Sequence, residues 1–255
     1  MHNEEEFHES FKYAINQGKT CTSASMPNLN HLKMVDYYNV YEPSEDTFLL
    51  LDTLQYEYEK NNLPSPSPSS RDSNSNNLKS MITFELGCGT GVATIFLSNL
   101  LSSTTVMHYV TDINRYAINV TLKTAKINNA CNIEAMQCDL AKPFIPKLNG
   151  LVDILLFNPP YVPTPNDEVG SNDIEASWAG GEHGRIVIDR ALDQIAKLIS
   201  FPYGRAYMVV VDDNKPEEIA RIMWDKYEFD VTPVLSRKAR NEQLTILKMV
   251  PTKKL

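Results

Sequence analysis

Asn158, Pro159, Pro160 and Tyr161 stand in a row after the apolar run LVDILLF, Leu151 to Phe157. The run reads as a strand buried on both faces. Proline cannot donate to a sheet ladder, so the strand stops at Asn158. A polar amide is thus fixed by two prolines at the open end of a buried strand. Its chemistry is that of a group that orients a planar nitrogen nucleophile. The nitrogen of an amide is a weak nucleophile because its lone pair is delocalised. Two acceptors that hold both N–H bonds aim that lone pair at an electrophile. The Asn158 side-chain oxygen supplies one, and the Pro159 carbonyl supplies the other in a fixed direction. The Tyr161 ring can cover the flat group. A proline-rich strand stop with Asn as a turn former is the plainer alternative.

Other residues offer a place for the electrophile. ELGCGTG, Glu85 to Gly91, lies between a strand-like and a helix-like stretch. Gly87, Gly89 and Gly91 permit a tight turn and close backbone approach to a ligand. Their GxGxG spacing differs from the dinucleotide GxGxxG, and no GK[ST] follows. Asp112, about 25 residues on, ends the next strand-like stretch. A carboxylate there can accept from both hydroxyls of a ribose, or cap a helix. Asp139, in CDLAKPF, can accept from an exocyclic adenine amine with Leu140 against the ring; alone it reads as a turn residue. Together these ends describe a nucleoside site without a phosphate cradle. That suggests S-adenosylmethionine rather than NAD or ATP. Glu85 adds negative charge near the cationic end of such a cofactor.

These residues need a scaffold that brings strand ends together. Strand-like stretches cover 81–86, 106–111, 133–138, 151–157 and 205–211. Helical periodicity covers 44–60, 92–101, 117–128, 183–199 and 216–226. Segments 229–235 and 244–249 can close the sheet as an antiparallel pair. The alternation predicts an α/β fold with a doubly wound, mostly parallel seven-stranded sheet, Rossmann-like in form. Ligands in such sheets bind beyond the carboxyl ends of the strands. Ser44 is placed to cap the first helix, with Glu45 and Asp46 suited to its dipole.

Residues 1–35 read as an N-terminal extension without strong patterning, and 36–255 as the main domain. Ser, Asn and Pro dominate 61–80, a low-complexity stretch that reads as a disordered surface insertion. The chain has 255 residues, 42% hydrophobic, with a net charge of −8. That suits one domain with a sizeable core and disfavours nucleic-acid binding through general electrostatics. No apolar stretch is long enough for a bilayer. The four cysteines form no CxxC pair, so neither a disulfide framework nor a metal site within the chain is expected. The acidic start MHNEEEFHES has the wrong sign for a targeting segment. A cytoplasmic or nuclear location fits.

ELGCGTG, TDIN, CDL and FNPPYV, in this order, resemble class I S-adenosylmethionine-dependent methyltransferases with the NPPY signature. VYEPSEDTFLLLDTL and EASWAGGEHGRIVIDR are similar to the eukaryotic and archaeal HemK-like enzymes. The resemblance spans about 40–249. It implies methylation of the glutamine amide in the Gly-Gly-Gln loop of a class I translation release factor. It implies that Thr47, Glu85, Gly87, Gly89, Gly91, Asp112, Asp139, Leu140 and Asn158 contact the cofactor. Asn158, Pro159, Pro160, Tyr161 and Val162 would frame the acceptor. It also implies a heterodimer with a small zinc-binding activator subunit covering an apolar sheet edge at 133–138. The residues alone leave open an adenine amine of a nucleic acid, a lysine acceptor, or a non-catalytic binding module. His183 reads as a surface-loop residue, Trp178 and Trp224 as packing, and Cys88 as a small buried residue.

Overall fold

The computed structural model describes residues 25–64, 80–101, 105–169, 174–239 and 242–254. The central part of the low-complexity stretch, 65–79, and the first 24 residues of the expected extension lie outside these. Five helices and seven strands carry the fold among the described residues: α1 Glu45–Glu59, β1 Met81–Leu86, α2 Val92–Leu100, β2 Val106–Asp112, α3 Arg115–Ile127, β3 Ile133–Gln137, β4 Ile154–Phe157, α4 Ile186–Leu198, β5 Arg205–Val211, α5 Pro216–Tyr227, β6 Phe229–Ala239 and β7 Glu242–Pro251. Short 3-10 turns punctuate the loops.

The strands form one sheet in the order β3-β2-β1-β4-β5-β7-β6. The first five are parallel, and β7 runs antiparallel to both β5 and β6. This is the doubly wound sheet expected from the alternation. The order reverses between β1 and β4, where such sheets open a crevice.

Side chains alternate across the sheet. Leu155 and Phe157 of β4 join one core with Ile188, Leu192 and Ile195 of α4 and Met223 of α5. Ile154 and Leu156 face the other way, against Leu50 and Leu54 of α1 and Phe96 of α2. Each such side chain, once buried, contributes about 1.5–3 kcal/mol. The core is thus continuous on both faces of β4, as its unbroken apolar sequence requires.

Two elements start three residues later than expected. β4 begins at Ile154 rather than at Leu151, which is exposed. Val152 instead makes an isolated bridge to Ile199, since Asp153 turns its carboxylate to the Ile82 N–H and the Ser200 hydroxyl. The fourth helix begins at Ile186 rather than His183. Glycines 181 and 184 adopt positive φ and hold 182–184 in a separate turn.

Residues 28–40 run along α3. Asn28 and Asn128 exchange hydrogen bonds, with Asn28 N–H to Asn128 Oδ1 at 2.6 Å. Leu32 packs with Val40, Ala117 and Val120. Asn114 donates to the Asn39 carbonyl at 2.6 Å, fixing the approach to α1.

Candidate active site

Because β1 to β4 are parallel, their carboxyl ends open on the same side. The glycine loop, Asp112, Asp139 and Asn158 therefore meet at one cleft. Thr47, Glu85, Gly87, Gly89, Asp112, Asp139, Leu140, Asn158 and Pro160 line it. Gly91, Pro159, Tyr161 and Val162 continue the same segments and are not among the lining residues. Gly91, with φ of 77°, precedes α2, and a Cβ there would lie 2.7 Å from Thr121. Its absence lets α2 and α3 close together. Val162 donates its N–H to the Trp178 carbonyl at 3.1 Å and accepts from Gly180 at 2.9 Å. It ties the NPPY segment to the loop that follows.

The glycine loop leaves room. A Cβ on Gly89 would meet nothing within 4 Å, and one on Gly87 only the Asn158 carbonyl oxygen at 3.9 Å. Both have positive φ, so a side chain would be strained as well as intrusive. Asp112 organises this loop. One carboxylate oxygen accepts the Gly89 N–H at 3.0 Å and the other the Asn114 N–H at 2.8 Å. Each oxygen retains capacity for a second donor. Burial pushes the Asp112 carboxyl up, and its backbone hydrogen bonds oppose that.

Glu85 lies deeper. Burial pushes its carboxyl up to about 8, against hydrogen bonds from the Thr94 hydroxyl and N–H. The group is therefore poised to ionise when a cation arrives. Asp139 is the reverse case. Burial opposes its charge, but Lys142 and Arg190 outweigh burial and hold the carboxyl below its usual range. Both cations bind Oδ2, Lys142 at 2.5 Å, which leaves Oδ1 for an amine donor. Leu140, beside it, adopts a positive φ of 53°.

At the fourth strand end, the Asn158 Nδ2 donates to Asp46 Oδ2 at 3.1 Å. Asn158 Oδ1 is buried without a hydrogen-bond partner among the described residues. An orphaned buried acceptor is costly, and here it sits in the wall of the cleft. The Tyr161 hydroxyl donates to the same Asp46 oxygen at 3.2 Å. Its carbonyl accepts from the Asn214 amide at 2.9 Å. Asn214 is fully buried and also reaches the His183 carbonyl and the Val211 N–H.

Asp46, Tyr41, Arg190 and Asn214 were not singled out for the site from sequence. A signal for Asp46 existed: it shares a face with Leu49, Leu50, Thr53, Leu54 and Glu57, all buried. A carboxylate at such a position is not a dipole partner in solvent. His183 is exposed, and its carbonyl rather than its ring is engaged. Cys88 is buried, accepts from the Thr121 hydroxyl, and has its thiol pushed well up by burial. It is a small buried residue of the glycine loop.

The fold and the cleft define a class I S-adenosylmethionine-dependent methyltransferase. The family model for the methyltransferase small domain matches residues 74–177. The chain is 40% identical to human methyltransferase HEMK2 over 223 residues, 87% of this chain and 94% of that one. It is 35% identical over 236 residues to the eRF1 methyltransferase catalytic subunit mtq2 of Schizosaccharomyces pombe, covering 88% and 95%. It superposes with a TM-score of 0.55 and 26% identity on the structure of the E. cuniculi Mtq2-Trm112 complex, which methylates the eRF1 translation termination factor; 84% of this chain and 99% of that one are covered. The chain belongs to the HemK family of methyltransferases, on the branch that holds HEMK2 and Mtq2.

Proposed function

We propose that the chain methylates the side-chain amide nitrogen of the glutamine in the Gly-Gly-Gln motif of a class I translation termination factor. The observation that carries this reading is the partnerless oxygen of Asn158 in the cleft wall. A planar amide has the N–H to give it. The naming of mtq2 as an eRF1 methyltransferase subunit supports the same acceptor. A net charge of −8 counts against adenine in a nucleic acid.

Asp112 would hold the ribose hydroxyls, Asp139 and Leu140 the adenine, and Glu85 the cationic end. Thr47 and the glycine loop would complete the wall. When bound, S-adenosylmethionine supplies a methyl group on a good leaving group. Asn158 Oδ1 takes one N–H of the incoming amide and the Pro159 carbonyl takes the other. The lone pair is then directed across the cleft. Tyr161 closes over the flat group. No ionised base is needed, because the amide nitrogen loses its proton after transfer.

The reading includes a partner. β3 is an edge strand with Met136 exposed and Ile133 and Ala135 half-buried. An apolar edge with open ladder groups needs cover. A small zinc-binding subunit pairing there fits this need, and the Mtq2-Trm112 assembly supports it.

The test is peptide mass spectrometry. The chain, co-expressed with such a subunit, is incubated with S-adenosylmethionine and a class I release factor. A single methyl on the Gly-Gly-Gln glutamine, formed far more slowly with Asn158→Ala, is expected. Cofactor binding without methylation of that glutamine would overturn the assignment.

A further inference from the structure

Asp46 is the second residue of α1 and is 3% exposed. The helix dipole does not require this burial, because exposed Glu45 serves it equally. The carboxylate instead collects donors. Oδ1 accepts the Thr47 N–H at 2.6 Å and the Thr47 hydroxyl at 3.3 Å. Oδ2 accepts three more: the Tyr41 hydroxyl at 3.1 Å, Asn158 Nδ2 at 3.1 Å and the Tyr161 hydroxyl at 3.2 Å. Burial and the Asp46 charge push both phenols well above their usual range, so both remain donors.

A side-chain amide has two orientations that differ by exchange of its oxygen and nitrogen. An ionised carboxylate can only accept. Turned the other way, Asn158 would press its oxygen on an Asp46 oxygen and point its nitrogen into the cleft. It would then offer a donor where the acceptor nitrogen needs a lone pair. We infer that Asp46 is a positioning residue for transfer, locking the Asn158 amide with its oxygen toward the acceptor nitrogen. The inference rests on Asn158 being the acceptor's ligand, as proposed above. Asp46 lies outside residues 74–177, which the family model matches. The catalytic amide is oriented from a segment that is distant in sequence.

The expected size follows from one charge-assisted hydrogen bond, worth about ten- to a hundredfold in rate. Asp46→Asn is nearly isosteric and keeps an oxygen for the Thr47 N–H. Its new NH2 then faces Asn158 and draws the Asn158 oxygen toward itself. We expect kcat to fall about ten- to a hundredfold while the cofactor Kd hardly moves. In an Asn158→Ala background, Asp46→Asn has no further effect on kcat. Tyr41→Phe, which spares the Asp46–Asn158 bond, lowers kcat less than Asp46→Asn. An unchanged kcat, or an equal loss in both backgrounds, overturns the inference.

A second readout needs neither turnover nor a folded variant. In amide NMR of the wild-type chain, one Asn158 side-chain proton exchanges slowly and lies downfield because it is bonded to Asp46. Two freely exchanging Asn158 protons sink the inference. Absence of release-factor methylation by the wild type sinks the acceptor assignment instead, and leaves this measurement standing.

Discussion

Gly184 sits against the Tyr161 carbonyl: a Cβ on it would lie 1.8 Å from that oxygen and 2.5 Å from the Asn214 amide nitrogen. Its φ of +67° is also strained for any other residue. The glycine is what lets the turn before α4 clamp the NPPY segment from behind. Gly184→Ala should therefore lower stability by more than the about 1–3 kcal/mol of backbone strain alone. It should reduce kcat more than cofactor affinity, since Asp112 and the glycine loop stand on other strands. Thermal melts with calorimetric cofactor titration check this. A variant with wild-type turnover would show that the clamp has no part in catalysis.

Glu85 sets a pH dependence. Its carboxyl is raised from 4.5 to about 8 by burial. A bound cation favours the ionised form, so cofactor affinity should climb as pH rises from 6 to 8 and level above that. Below pH 8 binding should release up to one proton. Calorimetry in two buffers of different ionisation enthalpy counts that proton. Glu85→Gln should flatten the profile. The cofactor-free chain has the opposite slope. The folded value exceeds the unfolded one, so the contribution of Glu85 to stability is full below pH 4.5 and lost as pH rises through 8.

Asp112 predicts a loss of binding rather than of chemistry. Asp112→Asn must aim an NH2 at either the Gly89 or the Asn114 N–H, which cannot both be satisfied. Cofactor Kd should weaken about ten- to a hundredfold, the equivalent of one hydrogen bond to a charged group. Turnover at saturating cofactor should change far less. Equal cofactor affinity in the two proteins would refute the ribose assignment.

Glu57 tests the scaffold apart from the site. It is 1% exposed, accepts from Tyr207 at 2.9 Å, and pairs with Lys248 at 3.1 Å. Removing one partner of a buried pair costs about 3–5 kcal/mol. Lys248 retains some solvent contact, so Lys248→Ala should fall at or below the low end of that range. Urea denaturation gives the number, and an unchanged cofactor Kd confirms that α1 stays docked. A loss of cofactor binding at full stability would contradict this separation.

The strand ends were legible from local text. GxGxG, Asp112, Asp139 and NPPY each follow a strand-like stretch, and a parallel sheet brings such ends together whatever the details of packing. The start of β4 was not legible, because an apolar Leu151 reads the same in a strand and on a surface. The turn before α4 was hidden for a related reason: a single glycine is tolerated near a helix start, while the positive φ at Gly184 is set by contact with Tyr161.

The sequence by itself determined the alternation of strands and helices, the carboxylates at the strand ends, and the amide at the end of β4. These depend on residue type and on neighbours a few positions away. Only the tertiary structure decided what holds that amide. Asp46 lies 112 residues from Asn158, and Asn214 lies 53 from Tyr161. Hydrogen bonds of that kind are made where helix, loop and strand converge in space, and no spacing along the chain announces them.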